Sequence, residues 1–193
     1  AIPGDPDHAL ASMGIYVFDT DYLLRMLVED GQDPQSDHDF GKDILPRGVR
    51  EGHRVFAFPF RDNAQGKQAY WRDVGTIDSY WAANMELIGV TPELDLYDNT
   101  WPIWTYQEQV PPAKFVFDDA ERRGIAIDSM LSGGCIVSGA VWRSLLCSSV
   151  RVHSYASVNW SVLLPSVENG RHARVNRGVI DRARPELGAA RVQ

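Results

Sequence analysis

The 193-residue chain is 44% hydrophobic, enough for one good core or two small domains. Its formal net charge of −7 is uneven: residues 1–150 hold 12 Lys+Arg against 23 Asp+Glu, whereas residues 151–193 hold seven Arg against Glu168, Asp181 and Glu186. The acidic bulk argues against nucleic acid as a partner, the two cysteines read as buried free thiols, and the absence of a signal peptide or membrane-length apolar run predicts a cytoplasmic protein without membrane partners.

Gly14 to Phe18 is apolar and β-prone and predicts a buried strand. Asp19 or Thr20 can cap a helix running through Tyr22, Leu23, Leu24, Met26 and Leu27 to Glu29. Asp39 can cap a second, short helix carrying Phe40, Ile44 and Leu45, which Pro46 should kink or shorten. Val55 to Phe60 predicts another strand. Thr76 then caps an amphipathic helix through Ile77, Tyr80, Trp81, Asn84, Leu87 and Ile88. Strands alternating with helices point to an α/β layer. Residues 91–113 form a proline-rich connector, in which Trp101 and Trp104 are expected to pack on the α/β body.

From about Ile125 the texture changes. Small and β-branched residues interleave, and Leu146, Val152, Val158 and Leu164 recur at intervals of six. That period fits neither an α-helix nor a flat hairpin sheet, but it suits a parallel β-helix of hexapeptide turns with apolar residues pointing into a prism. The expected division is residues 1–113, an α/β part with its connector, and residues 114–193, a truncated β-helix.

Asp73 precedes Gly75 and the Thr76 cap. Free N–H groups at a helix start favour phosphate, and an aspartate beside them could hold Mg²⁺. The same residue also reads as a solvated turn or cap aspartate. Neither a GxGxxG nor a GxxxxGK[ST] loop is present, and no His/Cys cluster has zinc-ligand spacing. Gly133-Gly134 reads as a turn at the β-helix entrance.

The wording of several segments narrows the choice. Tyr70-Trp71-Arg72-Asp73-Val74-Gly75-Thr76 resembles the YWRDVGT segment of ADP-glucose pyrophosphorylases, the bacterial glucose-1-phosphate adenylyltransferases. Residues 11–18 (ASMGIYVF), 38–43 (HDFGKD), Trp101-Pro102-Ile103, 111–115 (PPAKF) and 132–135 (SGGC) resemble further segments of that family, in its order. The resemblance covers nearly the whole chain. It implies part of a nucleotidyltransferase α/β sheet domain followed by a left-handed parallel β-helix. The activity implied is transfer of an adenylyl group from ATP to glucose 1-phosphate, giving ADP-glucose and pyrophosphate for glycogen synthesis in a homotetramer.

The resemblance also implies roles. Asp73 is expected to help hold Mg²⁺, with a second carboxylate coming from a half of the protein upstream of Ala1. Ser12, Tyr16, Asp39, Phe40 and Trp71 are expected to line the glucose 1-phosphate pocket: an acid accepts from sugar hydroxyls, and aromatic faces stack on a pyranose. Each has a plain structural alternative as a loop hydroxyl, core aromatic or helix cap. Arg182, in Val179-Ile180-Asp181-Arg182, is expected to grip a phosphorylated sugar effector, the alternative being a pair with Asp181 or Glu186. Against the family pattern, Asn169 stands where an apolar residue is expected. Val141-Trp142-Arg143-Ser144 is one residue short, which should shift the register of one coil. The chain is expected to be inactive alone, lacking the family's glycine-rich nucleotide loop and upstream lysine. Competing readings are a non-catalytic assembly or effector-binding module, and a hexapeptide-repeat acyltransferase with His153 or His172 as base.

Overall fold

The computed structural model describes residues 4–61, 68–100, 102–117 and 122–182. The chain divides into two compact units, residues 1–71 and 72–193.

In the first unit, helix α1 spans Thr20–Asp30. Asp19 caps it from extended backbone: its carboxylate accepts the Tyr22 N–H at 3.0 Å and satisfies one of the donors that a helix start leaves free. Asp39 caps a single π-turn, Phe40–Ile44, by accepting from the Gly41 and Lys42 N–H groups at 2.7 and 2.9 Å. Helix α2, Leu45–Arg50, follows without a break. Pro46 was expected to kink or shorten this helix. Instead the wider turn closes through Ile44 N–H to Asp39 C=O, and Pro46 sits in the first turn of α2, where a missing N–H costs little.

Neither expected strand forms. Among the described residues, 14–18 and 55–60 join no strand, and beside the second segment Arg61 and Gln68 form an isolated antiparallel bridge. Val17 is 98% and Phe58 88% exposed. The apolar pattern is that of a buried strand, but a strand needs a neighbour to take its N–H and C=O groups, and the described residues of this unit supply none. The buried apolar side chains of the unit are Met26 and Ile44.

The second unit is a three-sided parallel β-solenoid. One face stacks β1 (Lys114–Phe115), β4 (Ile136–Val137), β7 (Arg151–Val152) and β10 (Glu168–Asn169). The second stacks β2 (Ile125–Ile127), β5 (Ala140–Trp142), β8 (Ser157–Asn159) and β11 (Arg174–Asn176). The third stacks β3 (Met130–Leu131), β6 (Leu145–Leu146), β9 (Val162–Leu163) and β12 (Val179–Ile180). Val137, Val141, Leu146, Val152, Val158 and Leu163 fill the prism, each at most 1% exposed.

The six-residue period holds at Leu146, Val152 and Val158, but the next inward residue is Leu163, not Leu164. The cause is a corner that is one residue tight in every coil. Ile125 to Met130, Ala140 to Leu145, Ser157 to Val162 and Arg174 to Val179 are equivalent five-residue steps. The stretch 141–144 therefore shifts no register. Later coils repeat every 17 residues, as in Ala140 opposite Ser157 and Ser157 opposite Arg174. Asp128, Arg143, Trp160 and Arg177 turn this corner with φ between 43° and 50°.

A serine ladder holds the corner. Ser129, Ser144 and Ser161 each donate Oγ–H to the carbonyl two residues back, at 2.6–2.7 Å. Each hydroxyl then accepts the N–H of the matching residue in the next coil: Ser144, Ser161 and Gly178. At another corner Gly139 closes a step two residues shorter than its successor, and a Cβ there would lie 2.3 Å from the Ala156 carbonyl oxygen.

Helix α3, Ile77–Glu86, belongs to this unit. Thr76 and Ser79 form a reciprocal capping box at its start. Its Tyr80, Trp81 and Met85, with Leu87 and Ile88 beyond, cover the outward side chains Met130, Leu145, Val162 and Val179 of the third face. Trp81 Nε1–H donates to the Trp160 carbonyl at 2.8 Å. In the connector Trp104 is 91% exposed, contrary to the packing expected of it, and Trp101 lies outside the described residues. The thiols are free: Cys135 is buried, Cys147 half-buried, and burial pushes both up. Among the described residues no helix is long and apolar enough to cross a membrane.

Candidate functional site

Four of the expected pocket residues come together in the first unit. The Ser12 hydroxyl lies 2.7 Å from the Tyr16 hydroxyl and also accepts the Gly14 N–H at 3.2 Å. The Tyr16 ring stacks on Phe40, with centroids 5.6 Å apart and planes at 24°, and Phe18 packs against both. Asp39 precedes Phe40 and anchors the turn that presents it, since its backbone N–H is taken by Asp43 while its own carboxylate caps. The set offers a hydroxyl pair beside an aromatic platform, a combination suited to a sugar's hydroxyl edge and apolar face. Asp39 is committed to its cap through Oδ1. Trp71 is half-buried and shares no ring contact with the others among the described residues.

One supporting network was not legible in the sequence. Asp30, at the end of α1, accepts from Ser36 Oγ–H at 2.6 Å and pairs with His38 Nδ1 at 2.7 Å. The Ser36 hydroxyl, then His38, hold the Asp30 carboxyl below its ordinary range, and the bond to Asp30 raises His38. His38 adopts φ 58°, an uncommon left-handed conformation, at the entry to the Asp39 turn. Asp30, Ser36 and His38 are eight positions apart end to end and follow no periodic pattern, so only the fold joins them.

Asp73 lies in the second unit, at the turn into α3. Its Oδ1 accepts the Gly75 N–H at 2.9 Å, the geometry of an aspartate turn. Its neighbour Arg72 is held by Glu86 of α3 and by Glu93, at 3.2 and 2.6 Å. Oδ2 of Asp73 has no protein partner among the described residues. The carboxylate therefore fits one ligand of a Mg²⁺ ion, which takes one or two carboxylates together with phosphate oxygens. No group of three or more His, Cys, Asp or Glu side chains suited to a metal occurs among the described residues.

Arg182 is exposed, and its backbone N–H donates to Asp181 at 2.7 Å. The alternative partner, Glu186, lies outside the described residues. His153 Nε2 pairs with Glu168 at 2.5 Å, and His172 stacks flat on Tyr155 with centroids 4.9 Å apart.

Residues 3–89 match the nucleotidyl transferase family, and residues 111–185 match the GlmU-like C-terminal hexapeptide family. The second match, with the three-faced parallel solenoid, is the signature of a left-handed β-helix. A glucose-1-phosphate adenylyltransferase of Methylococcus capsulatus is 63% identical over 182 residues, covering 94% of this chain and 43% of the relative. Enzymes of the same name from Dechloromonas aromatica and Shewanella oneidensis are 62% and 59% identical over 186 and 181 residues. The chain spans about 43% of the length of these curated relatives. Along almost all of its own length, the chain is thus similar to one segment of glucose-1-phosphate adenylyltransferases.

Proposed function

We propose that the chain is the sugar-phosphate and β-helix part of an enzyme that makes ADP-glucose and pyrophosphate from ATP and glucose 1-phosphate, for glycogen synthesis in the cytoplasm. The observation that carries this reading is the convergence of Ser12, Tyr16 and Phe40 on one spot beside the Asp39 turn. In this reading Ser12, Tyr16 and Asp39 meet the glucose hydroxyls, and Phe40 and Trp71 offer their faces. Asp73 gives Mg²⁺ one carboxylate, the ion neutralising phosphate charge. Arg182 receives a phosphorylated sugar effector, and the intact protein is a homotetramer. The sugar phosphate oxygen is itself the nucleophile, so the protein's task is alignment and charge stabilisation.

The chain by itself should not turn over. Pyrophosphate release from ATP, glucose 1-phosphate and Mg²⁺ should stay at background, and measurable turnover would show that the nucleotide site lies within these residues. Placed in the full-length Methylococcus capsulatus relative, alanine at the positions matching Ser12 or Asp39 should raise KM for glucose 1-phosphate far more than KM for ATP. Asparagine at the position matching Asp73 should depress kcat. Equal effects on both KM values would refute the assignment of the pocket.

One contrast favours a second reading for the isolated chain. Each strand of the solenoid pairs with a parallel neighbour, whereas residues 14–18 and 55–60 of the first unit join no strand among the described residues. A non-catalytic assembly or effector-binding module needs only the former. Acyl transfer fits less well, because His153 is engaged by Glu168 and His172 by Tyr155.

A further inference from the structure

Asn169 occupies an inward position of β10, opposite Val152, and is 6% exposed. Its neighbours along the prism are valines and leucines, and its Nδ2 has no hydrogen-bond partner among the described residues. A buried amide is ordinarily held at both ends. This one is held at neither donor, in the outermost described coil. The following residue is Gly170, where an added Cβ would meet nothing within 4 Å. Along this edge each coil donates N–H groups to the next coil's carbonyls, as Ser138 does to Val152 and His153 to Asn169. The Gly170 N–H is the next in that series and has no acceptor among the described residues. Of the six asparagines in the chain, only Asn169 precedes a glycine.

From this juxtaposition we infer that Asn169 is a site of spontaneous covalent modification, in which the Gly170 backbone nitrogen displaces the side-chain amide. Hydroxide removes the Gly170 N–H proton. The nitrogen bonds to Cγ of Asn169, the Cγ–Nδ2 bond breaks, and Nδ2 leaves as ammonia after taking a proton from water. Water then opens the resulting five-membered imide at either carbonyl. One product is aspartate at position 169; the other is an aspartate linked through its side-chain carbon. No oxidant or reductant is involved.

Three features favour the step here. Glycine leaves the attacking nitrogen unhindered and free in φ. The leaving amide gives up no hydrogen bond. The required swing of the Asn169 side chain needs only the coil that carries it to open, and local opening costs less than global unfolding. Both products work against refolding of that coil. A carboxylate would stand among apolar side chains, and the side-chain linkage would lengthen a coil whose pairing depends on a fixed count.

The test uses the purified chain held folded in mildly alkaline buffer, sampled by peptide mass spectrometry and by labelling with an isoaspartyl methyltransferase. The peptide containing residues 169–170 should gain the amide-to-acid mass before any peptide with another asparagine. Gly170→Ala, for which there is open space, should slow the gain. Asn169→Asp should lower the unfolding temperature of otherwise unmodified protein. The inference is overturned if Asn169 stays intact in the folded chain over a time in which urea-unfolded chain converts, or if it converts no faster than Asn159 and Asn176.

Discussion

Replacing Ser144 by alanine tests the serine ladder directly. Ser144 is fully buried. Its hydroxyl donates to the Trp142 carbonyl at 2.7 Å and accepts the Ser161 N–H at 3.1 Å. Without it the Trp142 carbonyl still accepts from Trp160 N–H at 3.1 Å, so that group stays satisfied. The Ser161 N–H does not, and Ser161 is itself fully buried. A buried donor left unmet costs about 1–3 kcal/mol, and the missing water access places Ser144→Ala towards the upper end. Urea unfolding followed by tryptophan fluorescence reads the loss as a lower midpoint at unchanged slope. Ser161→Ala transfers the same penalty one coil on, to Gly178 N–H; the bond between the two residues uses the Ser161 backbone N–H, which alanine keeps, so each variant orphans a different donor and the two losses should add to within about 0.5 kcal/mol. A shift of Ser144→Ala within the ~0.5 kcal/mol of a surface substitution would refute the ladder as the element that holds the corner.

Trp81→Phe keeps an aromatic ring but removes the bond to the Trp160 carbonyl; a loss of about 0.5–1.5 kcal/mol is expected, with faster amide exchange along Ile77–Glu86. Gly139→Ala should destabilise at or beyond the ~1–3 kcal/mol of ordinary overpacking, since the Cβ meets backbone oxygens of Ala156 and His153 at 2.3 and 2.7 Å, and calorimetry would show it. The Asp30–His38 link should be strongest at mildly acid pH. His38 is raised in the fold, so its contribution is complete below its usual value of 6.5 and is lost as pH rises through the higher folded value; Asp30 is lowered, so its contribution is present above 3.8 and fades as pH falls through the lower one. An NMR titration of the His38 ring that gave a value at or below 6.5 would contradict this.

The helices were legible because their signals are local. Asp19, Asp39 and Thr76 cap where their side chains and the following apolar residues say they should. The solenoid was legible because its period is carried by consecutive residues. Its tight corner was not, since a shortage of one residue looks like damage until four coils are seen to share it. The segments 14–18 and 55–60 show the opposite failure: strand propensity describes a residue's preference, while a strand exists only with a neighbour. At the site, Ser12, Tyr16, Asp39 and Phe40 were found by resemblance and are adjacent in space, whereas Asp30, Ser36 and His38 are joined only by the path of the chain.

The shared short corner makes the solenoid behave as a counting device. Pairing between coils compares residue numbers modulo 17, and a corner is where the count is reset. Where a pairing spans the Gly139 corner the spacing drops to 15, as from Ile125 to Ala140 and from Ile136 to Arg151; the two missing residues are absorbed there, and the strands on either side stay in step. Length changes are thus tolerable where the chain turns and damaging where it runs straight. A segment copied in whole coils could be spliced in without disturbing its neighbours, so this half of the molecule can change height while every face keeps its identity.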